Sequence, residues 1–361
     1  MKVLILHPDL KDPGGVTGYF RQVKNKFTIP AQYFIVGTRQ NEQGLIQKFL
    51  RLIRDYKEFI NFITQEKISI IHLNPSLDLK SLIRDSIFIL LSRLYKVKTI
   101  TFIHGWQKKV EKLIEKYGLW IYKSIFETNK AIIVLAKDFK KKHEVWGFRN
   151  RIYQETTIAD DEIIKYFDIE GAIKARAESA CFRILFISRI FRQKGIYETI
   201  DAFKNLHSRF TNMELIIAGD GPELKSSKAY VKSLNINKVI FTGYISGEEK
   251  YNLFKRVHVL CLPTYYGEGL PTVIVEAMTF GLPVVTSPVG GIKDFFSNGK
   301  HGFLVESKNH KEIEETIIKI YLNPELFRKI SIFNYNYAKK YLMASQAAKR
   351  LEHIYREAFE S

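Results

Sequence analysis

Cysteine is scarce in this sequence. Of the 361 residues only Cys181 and Cys261 are cysteine, and each lies beside an apolar run that is typical of a β-strand. Two cysteines do not make a disulfide framework, so we expect a reducing compartment and a cytoplasmic protein. Buried, unreactive thiols are the expected state of both side chains.

Long apolar runs are also missing. Continuous stretches such as SIFILLS are far shorter than the roughly 20 residues that cross a bilayer. The first residues, MKVLILHPD, begin a predicted strand, and we expect no cleavable signal there. The sequence therefore predicts a protein that does not span a membrane, although it could lie against one.

Acidic residues are few in the first part of the chain. Residues 1–154 contain 28 Lys and Arg against 13 Asp and Glu, a net charge of +15, whereas residues 155–361 contain 28 and 25, a net charge of +3. Positive charge of this size attracts anionic lipid, acidic ligands or nucleic acid, but a solvated lysine-rich surface has the same composition. We find no nucleic-acid recognition module and expect no such partner.

Two basic segments could face a membrane. Residues 44–67 interleave Lys48, Arg51, Arg54 and Lys57 with Leu, Ile and Phe, and residues 107–126 repeat this pattern with Trp120 and Tyr122. A helix in the membrane interface has one basic face and one aromatic or aliphatic face. An ordinary helix that covers an α/β sheet has the same pattern, so the sequence leaves both interpretations open.

Short apolar runs alternate with helix-like stretches along the whole chain. This alternation predicts an α/β protein with two doubly wound, Rossmann-like domains built on parallel sheets. We expect a basic N-terminal domain at 1–165, a second domain at 166–340, and a C-terminal helix at 341–361 that packs back on the N-terminal domain. The predicted strands are KVLIL (2–6), YFIVG (33–37), SIIHL (69–73), TITFIH (99–104), AIIVLA (131–136), RIYQET (151–156), FRILFIS (182–188), MELIIAGDG (213–221), KVIFTGY (238–244), HVLCLPT (258–264), LPVVTS (282–287) and GFLVE (302–306).

Two glutamates stand eight positions apart in the stretch YYGEGLPTVIVEAMTFGLPVV (265–285). Pro271 and Gly281 predict a helix between them. Glu268 then lies in the loop before a helix N-terminus, where ligands of α/β sheets bind, and Glu276 lies inside the helix among apolar residues. A buried carboxylate needs hydrogen-bond donors, which a ribose diol supplies. The alternative is a helix-dipole partner at Glu268 and a surface residue at Glu276.

Two cations follow the first strand of the second domain. ISRIFRQKG (187–195) presents Arg189 and Lys194 in a turn before a helix, where they could hold a diphosphate. Solvated loop charges are the alternative. The next strand ends in GDGPE (219–223), whose glycines a tight turn explains.

The first domain offers weaker candidates. Gly14 and Gly15 follow its first strand, so their bare amides could approach an anion, although a lone Gly-Gly pair is a weak signal. His104 ends the strand TITFI and should face the same edge of the sheet. A structural histidine is the alternative there.

Taken together, these motifs resemble a known family. Over most of its length the second domain resembles the nucleotide-sugar domain of the family-4 retaining glycosyltransferases, the glycosyl transferases group 1, which have the GT-B fold. The resemblance rests on the order and spacing of R-x4-K, GDGPE, FTGYIS (241–246), the E-x7-E pair and SPVGGI (287–292). In the first domain PGGV, FIHGW and VLAKDFKKKHEVWGF resemble the family's acceptor domain more loosely. Ala136 stands where many members have serine.

The resemblance implies two domains facing across a cleft, the first binding the acceptor and the second the nucleotide sugar. Arg189 and Lys194 would bind the donor diphosphate and stabilise it as the leaving group. Glu276 would hold the ribose, and backbone groups near Tyr244 would contact the base, uracil or guanine.

Further roles follow from the same resemblance. Glu268, with the amides of Gly269 and Leu270, would contact the hydroxyls of the donor sugar, and His104 would lie near that sugar as a further catalytic residue. The donor-binding glycines would be Gly14, Gly15, Gly290 and Gly291.

Members of the family usually retain the anomeric configuration. A front-face mechanism is commonly proposed for them, in which the leaving phosphate oxygen deprotonates the acceptor and no protein base is needed. We expect no metal and no cofactor besides the nucleotide sugar, because His and Cys show no ligand spacing. The Asp-x-Asp motif of the other common glycosyltransferase fold is also missing, since Asp160 and Asp161 lie in the linker.

The function predicted on this basis is hexosyl transfer to a saccharide or lipid-linked acceptor in cell-surface polysaccharide synthesis, at the inner membrane face. Two alternatives stay open. One is a nucleotide-sugar 2-epimerase of related fold, and the other is a non-catalytic subunit that binds nucleotide sugars. The sequence indicates neither the sugar, the linkage nor the oligomeric state.

Overall fold

The chain forms two compact units. The computed structural model describes residues 1–12, 14–37, 39, 44–266 and 269–361. One unit consists of Met1–Thr156 together with Ala344–Ser361, and the other consists of Thr157–Met343. We call them the first unit and the second unit.

The first unit is built on a parallel sheet of six strands. Every residue of its first strand is buried, as expected for a parallel sheet that is covered on both faces. The strands are β1 (Val3–His7), β2 (Ala31–Ile35), β3 (Ile70–Leu73), β4 (Lys98–Ile103), β5 (Ala131–Val134) and β6 (Arg151–Gln154), in the spatial order β2-β1-β3-β4-β5-β6. The helices of Met1–Thr156 are α1 (Gly15–Val23), α2 (Leu45–Gln65), α3 (Leu79–Leu94), α4 (Lys108–Leu113), α5 (Leu119–Phe126) and α6 (Lys137–Val145), and a π-helical turn at Ile114–Gly118 joins α4 to α5.

The second unit repeats this plan with another parallel sheet of six strands. These are β7 (Phe182–Ile187), β8 (Met213–Ala218), β9 (Val239–Gly243), β10 (Val259–Leu262), β11 (Val284–Thr286) and β12 (Gly302–Leu304), in the order β12-β11-β10-β7-β8-β9. Its helices are α7 (Ile169–Ala177), α8 (Ile196–Arg209), α9 (Leu224–Ser233), α10 (Gly247–Arg256), α11 (Thr272–Thr279), α12 (Ile292–Phe295), α13 (His310–Tyr321) and α14 (Pro324–Tyr337). Short 3-10 turns occur at Asp161–Ile163 and Arg192–Lys194, and a π-helical turn at Ala338–Leu342 follows α14.

The predicted fold class is confirmed. Each of the twelve apolar runs predicted as strands overlaps an observed strand, and both sheets are parallel. Helices pack against both sheets and bury a separate apolar core in each unit. Alternating strands and helices therefore produced the two-unit α/β architecture that the pattern indicated.

The first of the two segments that form the first unit ends at Thr156, before the domain boundary expected at residue 165. Packing explains this difference, because Ala159 is fully buried in the apolar core of the second unit. The Ala159 amide also donates to the carbonyl of Leu342, at 2.9 Å. The polar linker seen in the sequence thus begins after the chain has already joined the second unit.

The last helix, α15 (Ala344–Glu360), lies in the first unit. Tyr355 is fully buried, and its hydroxyl lies 2.6 Å from Nδ1 of His72 on β3. The guanidinium of Arg350 donates to both carboxylate oxygens of Glu155, at 2.7 and 2.8 Å. The chain therefore returns to its first unit through buried polar contacts as well as apolar packing.

Candidate functional site

A cavity of about 480 Å³ opens at the carboxyl ends of β7, β8 and β9 in the second unit. The strand order reverses beside β7, because β8 follows it on one side and β10 lies on the other. Ligands of open α/β sheets bind outside the carboxyl ends of the strands at such a reversal. The cavity is therefore the first candidate for a ligand site.

Two glycines shape one wall of this cavity. Gly219 and Gly221 follow β8 with φ values of +131° and +159°. A Cβ atom at Gly219 would lie 1.9 Å from the Ser188 carbonyl oxygen, and one at Gly221 would lie 2.5 Å from the Ile190 carbonyl oxygen. Only glycine permits this close approach of the turn to the loop after β7. The structural need assumed for the GDGPE glycines is thus observed, and the turn also lines the cavity.

Arg189 lies in the loop after β7 and lines the cavity. Its side chain is exposed, and the guanidinium lies 4.8 Å from the centre of the Phe191 ring. Among the described residues no carboxylate pairs with it. An unpaired guanidinium at the mouth of a cavity can bind an anionic group with two parallel hydrogen bonds.

Lys194, the second predicted cation, does not line this cavity. It ends the 3-10 turn Arg192–Lys194, is partly buried, and places its ammonium 5.0 Å from the centre of the Tyr266 ring. The structure therefore puts Arg189 at the cavity and Lys194 beside it, against the segment that leads towards Glu268. Glu268 itself lies outside the described residues.

Glu276 is buried on α11, with 3% of its surface exposed. One carboxylate oxygen, Oε1, accepts a hydrogen bond of 2.5 Å from the ammonium of Lys250, which lines the cavity. The other oxygen, Oε2, has no hydrogen-bond partner among the described residues. Burial raises the pKa of Glu276, and the Lys250 ammonium opposes that rise.

The helix that carries Glu276 is the one predicted. α11 begins after Pro271 and ends at Thr279, and Gly281 follows with φ of +67°. The amides of Gly281 and Leu282 donate to the carbonyls of Met278 and Ala277, at 2.9 Å each, which is a Schellman cap. This cap ends the helix one turn beyond Glu276.

Other predicted donor-binding residues are spread along the same edge of the sheet. Tyr244 follows β9, is exposed and lines the cavity. Leu270 is buried, and its carbonyl accepts a hydrogen bond of 2.5 Å from the Thr157 hydroxyl. The remaining predicted positions do not line the cavity: Gly269 lies partly buried before α11, and Gly290 and Gly291 lie between β11 and α12.

His104 follows β4 in the first unit and is held by Asn74. The Asn74 amide nitrogen donates to the Leu6 carbonyl at 2.8 Å, so its oxygen accepts from His104 Nε2 at 3.0 Å. Desolvation, with a smaller effect of His72, lowers the pKa of His104 well below its usual value. The imidazole is therefore neutral and protonated on Nε2, and Nδ1 is left as a hydrogen-bond acceptor.

Gly14 and Gly15 lie at the N-terminus of α1, and both are exposed. No side chain among the described residues caps this helix, and a Cβ atom at Gly15 would meet nothing within 4 Å. The start of the helix therefore lies at the surface of the unit. That is the arrangement expected of a segment whose backbone approaches an anion.

Sequence reasoning missed two parts of the cavity. It assigned no role to Lys250, and it treated the GDGPE turn as structural only. A signal for Lys250 exists, because it precedes the buried Leu253 and Phe254 of α10 by one helical turn and so shares their face. Neither cysteine lines the cavity; Cys261 is buried as expected, whereas Cys181 is only partly buried, so the prediction of a buried thiol is wrong there.

The outer surface of the first unit exposes apolar side chains on adjacent helices. The rings of Tyr56 on α2 and Phe88 on α3 lie 4.8 Å apart, and α3 also packs against α5. The exposed apolar side chains are Ile46, Phe49, Leu50 and Ile53 on α2, Leu79, Ile83, Ile87, Leu90 and Leu94 on α3, and Leu113, Tyr117, Trp120 and Ile121 along α4, the π-turn and α5. On α3 they recur every three or four residues, opposite the buried side of that helix.

Two residues of the predicted basic segments do not belong to this outer surface. Arg51 is buried and pairs with Asp55 at 3.2 Å, and Tyr122 is buried with its hydroxyl 3.0 Å from His143 Nε2. Ordinary packing accounts for both. Within the described part of the chain, no helix is long and apolar enough to cross a membrane.

No group of three or more His, Cys, Asp or Glu side chains that could hold a metal ion occurs among the described residues. The cations at the candidate site come from Arg189 and Lys250 in the cavity and from Lys194 beside it.

Comparison with known families decides the class of this site. Residues 174–337, which include all the cavity residues, match the family model of the glycosyl transferases group 1. The second unit carries a group 1 glycosyltransferase domain. The predicted family is therefore confirmed for this domain, and the solved structures described below confirm the predicted GT-B fold. Membership of family 4 and retention of configuration stay predictions.

Relatives and solved structures agree with this glycosyltransferase assignment. The chain is 25% identical to an uncharacterized glycosyltransferase of Methanocaldococcus jannaschii, over 80% of this chain and 76% of that protein. It is 26% identical to the capsular polysaccharide biosynthesis glycosyltransferase CapM of Staphylococcus aureus, over 66% of this chain and 62% of that protein. It is similar to the Anabaena protein HepE solved in complex with UDP, with a TM-score of 0.77, 17% identity, and coverage of 99% of this chain and 100% of that one.

The aligned part varies in extent among these glycosyltransferases. It spans from 42% to 76% of the length of the first curated relatives. At 17% identity the likeness to HepE shows the fold alone. The likeness to HepE therefore assigns neither a donor nor an acceptor to this chain.

Proposed function

We propose that the protein is a retaining hexosyltransferase that moves a sugar from a UDP- or GDP-sugar to a saccharide or lipid-linked saccharide acceptor. The observation that carries the proposal is the cavity of the second unit. There the guanidinium of Arg189, which pairs with no carboxylate in the described part of the chain, lies in the wall. The buried carboxylate of Glu276 lies behind Lys250, and one of its oxygens has no donor among those same residues. A nucleoside diphosphate matches this pair, since it carries an anion at one end and a hydroxylated ribose at the other.

The biological role proposed is synthesis of a cell-surface polysaccharide. The Staphylococcus aureus relative is named for capsular polysaccharide biosynthesis, and the structural neighbour HepE was solved with UDP. Both facts concern those proteins. They support a nucleotide-sugar donor and a polysaccharide product for this chain.

In the proposed reaction the bond between the anomeric carbon and the diphosphate breaks while the acceptor oxygen bonds to the same face of the sugar. Arg189 and Lys194 stabilise the charge that develops on the leaving diphosphate, which is the largest electrostatic demand of the step. The leaving phosphate oxygen takes the proton of the acceptor hydroxyl. No protein side chain is required as a base.

The remaining predicted residues hold the donor. Glu276 accepts hydrogen bonds from the ribose, and the backbone near Tyr244 contacts the base. Glu268, with the amides of Gly269 and Leu270, contacts the sugar hydroxyls. Neutral His104 can accept a hydrogen bond from a sugar hydroxyl through Nδ1, and the glycine backbone at the start of α1 suits a phosphate.

The proposed transfer needs no metal, because Arg189 and Lys194 supply the positive charge at the diphosphate. We expect turnover to be unchanged by EDTA. Loss of turnover with EDTA and its recovery with a divalent cation would overturn this part of the proposal.

The test is a transfer assay with the whole chain. UDP-glucose, UDP-galactose, UDP-N-acetylglucosamine and GDP-mannose are each incubated with and without a panel of saccharide and lipid-linked saccharide acceptors. The proposal predicts release of nucleoside diphosphate that depends on an acceptor. An altered sugar formed without acceptor would instead identify an epimerase, and binding without any turnover would identify a non-catalytic partner subunit.

We also propose that the first unit binds an anionic membrane surface, at the inner face of a membrane. The support is the combination of exposed apolar side chains on α2, α3 and α5 with the net charge of +15 in residues 1–154. Interfacial helices bury apolar side chains in the lipid while their basic residues approach anionic headgroups. A lipid-linked acceptor would be reached at the same surface.

The membrane proposal is tested by flotation with vesicles of phosphatidylglycerol and phosphatidylcholine. We expect the protein to float with vesicles that contain phosphatidylglycerol at low salt, and less so at high salt, because salt screens exposed charges. Little of the protein should float with vesicles of pure phosphatidylcholine. Absence of binding to the anionic vesicles at low salt would remove the proposal.

A further inference from the structure

Lys250 joins the cavity to the buried carboxylate. Its side chain lies in the cavity wall, and its ammonium donates to Glu276 Oε1 at 2.5 Å. The side chain of Lys250 is 20% exposed, whereas that of Glu276 is 4% exposed. A ligand in the cavity would therefore meet the ammonium of Lys250 first, with the Glu276 carboxylate directly behind it and outside the cavity lining.

Buried ion pairs elsewhere in the chain show what a purely structural pair looks like. In the first unit Glu155 has both carboxylate oxygens bonded to Arg350. Glu352, also buried, accepts from the amide of Thr28 on one oxygen and from the Thr28 hydroxyl on the other. In both pairs each carboxylate oxygen is bonded, as expected where the pair holds the fold. Among the described residues a buried oxygen without a donor also occurs on Glu198, which as a residue is only partly buried.

Glu276 departs from that pattern. Lys250 satisfies Oε1, but Oε2 has no donor among the described residues, although it is buried. A buried carboxylate oxygen without a donor is costly, so such an atom indicates a site that a ligand completes. Because a carboxylate oxygen can only accept, the missing group must be a donor such as a hydroxyl.

The ammonium of Lys250 supplies the complementary half. It has three N–H groups, of which one is directed to Oε1, and it can only donate. An acceptor oxygen of the ligand next to the donating hydroxyl would satisfy it. Two adjacent hydroxyl groups meet both requirements, because one can donate while the other accepts.

We propose that Lys250 and Glu276 together bind the ribose diol of the nucleotide, with one hydroxyl donating to Glu276 Oε2 and the oxygen of the other accepting from the Lys250 ammonium. This inference rests on the proposed function, since it assumes a nucleoside diphosphate in the cavity. It adds Lys250 as a binding residue. The two hydroxyl groups of the ribose are then recognised by Lys250 and Glu276 jointly, and not by Glu276 alone.

The test compares ribose and deoxyribose ligands in two proteins. Dissociation constants of UDP and GDP are measured for the wild-type chain and for Lys250→Met, together with those of the 2′-deoxy and 3′-deoxy forms of the nucleotide that binds. In the wild type, removing a hydroxyl should weaken binding about tenfold, the usual effect of losing a hydrogen bond to a charged group. In Lys250→Met the ribonucleotide should bind about tenfold more weakly, but the loss for at least one deoxy form should be less than about threefold.

Two further variants keep the test decisive. Lys255→Met removes an exposed lysine from the same helix outside the cavity and should leave all the constants unchanged. Lys250→Arg keeps a cation and should retain part of the ribose preference, which gives a second readout if the methionine variant does not fold.

The outcomes separate the inference from the proposed function. If Lys250→Met weakens the binding of the ribonucleotide and of both deoxynucleotides by the same factor, the pair does not bind the ribose diol and the inference is wrong. If the wild-type chain binds no nucleoside diphosphate at all, the proposed function itself fails.

Discussion

The carboxylate of Glu276 is buried among the apolar residues of α11, and the protein satisfies only part of its hydrogen-bonding capacity. Lys250 bonds one oxygen and leaves the other without a donor among the described residues. Residues of this kind conflict with ordinary packing rules, and such conflicts cluster where a ligand completes the structure. The incomplete hydrogen bonding of this one carboxylate is therefore the feature that supports a binding role for Glu276.

The pH dependence of nucleotide binding should report on this carboxylate. Burial raises the pKa of Glu276 although Lys250 opposes the rise, and Tyr251 on α10 is the other titratable group that interacts with it. The ionised form is therefore lost, as pH falls, at a higher pH than for an exposed glutamate. We expect affinity for UDP or GDP to fall as the pH is lowered, and to begin falling at a higher pH than protonation of an exposed glutamate would produce. Glu276→Gln should bind more weakly and depend less on pH.

Calorimetry of both proteins over a series of pH values measures the effect. The diphosphate also titrates near pH 6, so the difference between the two pH profiles, rather than either profile alone, is the quantity of interest. Parallel profiles for the wild type and Glu276→Gln would show that Glu276 does not titrate in the binding equilibrium.

Site residues could be predicted from the sequence only where a single continuous segment contained the motif that identifies them. Arg189 and Glu276 lie in recognisable motifs, so the sequence singled out Arg189 in the turn after a strand and Glu276 inside a predicted helix. Lys250 was missed because its partner lies on a different helix, and the contact between α10 and α11 is visible only in three dimensions. Gly290 and Gly291 carry a motif but do not line the cavity, so their role stays a prediction.

At the scale of elements, the exposed side of α3 is the least expected feature. Its buried side holds Leu82, Phe88 and Ile89, as a covering helix requires, yet the opposite side is apolar as well. A helix with apolar residues on two opposite sides gives only a weak amphipathic signal, so the sequence drew attention to the two basic segments and not to α3.

A single charge on this side should weaken membrane binding. Ile83 is 64% exposed on α3, so Ile83→Glu should leave the fold intact and reduce flotation with phosphatidylglycerol vesicles severalfold, because a carboxylate resists burial in lipid and repels anionic headgroups. Leu322→Glu is the matched control, since Leu322 is 63% exposed but lies in the second unit.

The blue shift of Trp120 fluorescence on vesicle binding gives a second readout, since Trp120 is exposed on the same surface. Equal losses in Ile83→Glu and Leu322→Glu would mean that charge, not this helix surface, controls binding. Wild-type flotation by Ile83→Glu would contradict the predicted role of α3.

The turn after β8 is a second element that can be tested. Gly219→Ala would place a Cβ atom 1.9 Å from the Ser188 carbonyl oxygen at a φ of +131°. We expect the second unit to lose about 3 kcal/mol or more in its free energy of unfolding, because the loop that carries Arg189 must move. Far-UV circular dichroism during urea unfolding measures the loss.

Gly299→Ala is the matched control for this turn. Gly299 also has a positive φ, +81°, but a Cβ atom there would meet nothing within 4 Å, so only the backbone strain of about 1 kcal/mol is expected. Equal destabilisation by both variants would show that close approach to Ser188 is not what requires glycine at position 219.

At the scale of the whole molecule, the chain enters the second unit at Thr157 and returns to the first with α15. The strand pattern allowed both sheets to be predicted, because each short apolar run is a local signal. The boundary was placed too late, since burial of Ala159 depends on contacts with distant residues such as Leu342. The return of the last helix was expected, but the polar contacts that hold it could not be read from spacing.

The last helix should contribute strongly to the stability of the first unit. Tyr355→Ala removes a fully buried ring that contacts His72, and the cavity left behind should lower the free energy of unfolding of that unit by about 3–5 kcal/mol. Tryptophan fluorescence follows this unit selectively, because all three tryptophans, Trp106, Trp120 and Trp146, belong to it. Tyr341→Ala, at an exposed position of the second unit, should leave the transition unchanged; a shift equal to that of Tyr355→Ala would contradict the account.

The central claim is that the cavity of the glycosyltransferase domain binds a nucleoside diphosphate through Arg189. Isothermal titration of UDP and GDP into the wild-type chain, Arg189→Ala and Arg192→Ala tests it most directly, since Arg192 is an exposed arginine of the same loop that does not line the cavity. The account predicts that at least one nucleotide binds the wild type and Arg192→Ala equally well, and binds Arg189→Ala at least about tenfold more weakly. It is contradicted if neither nucleotide binds, or if Arg189→Ala binds as tightly as the wild type.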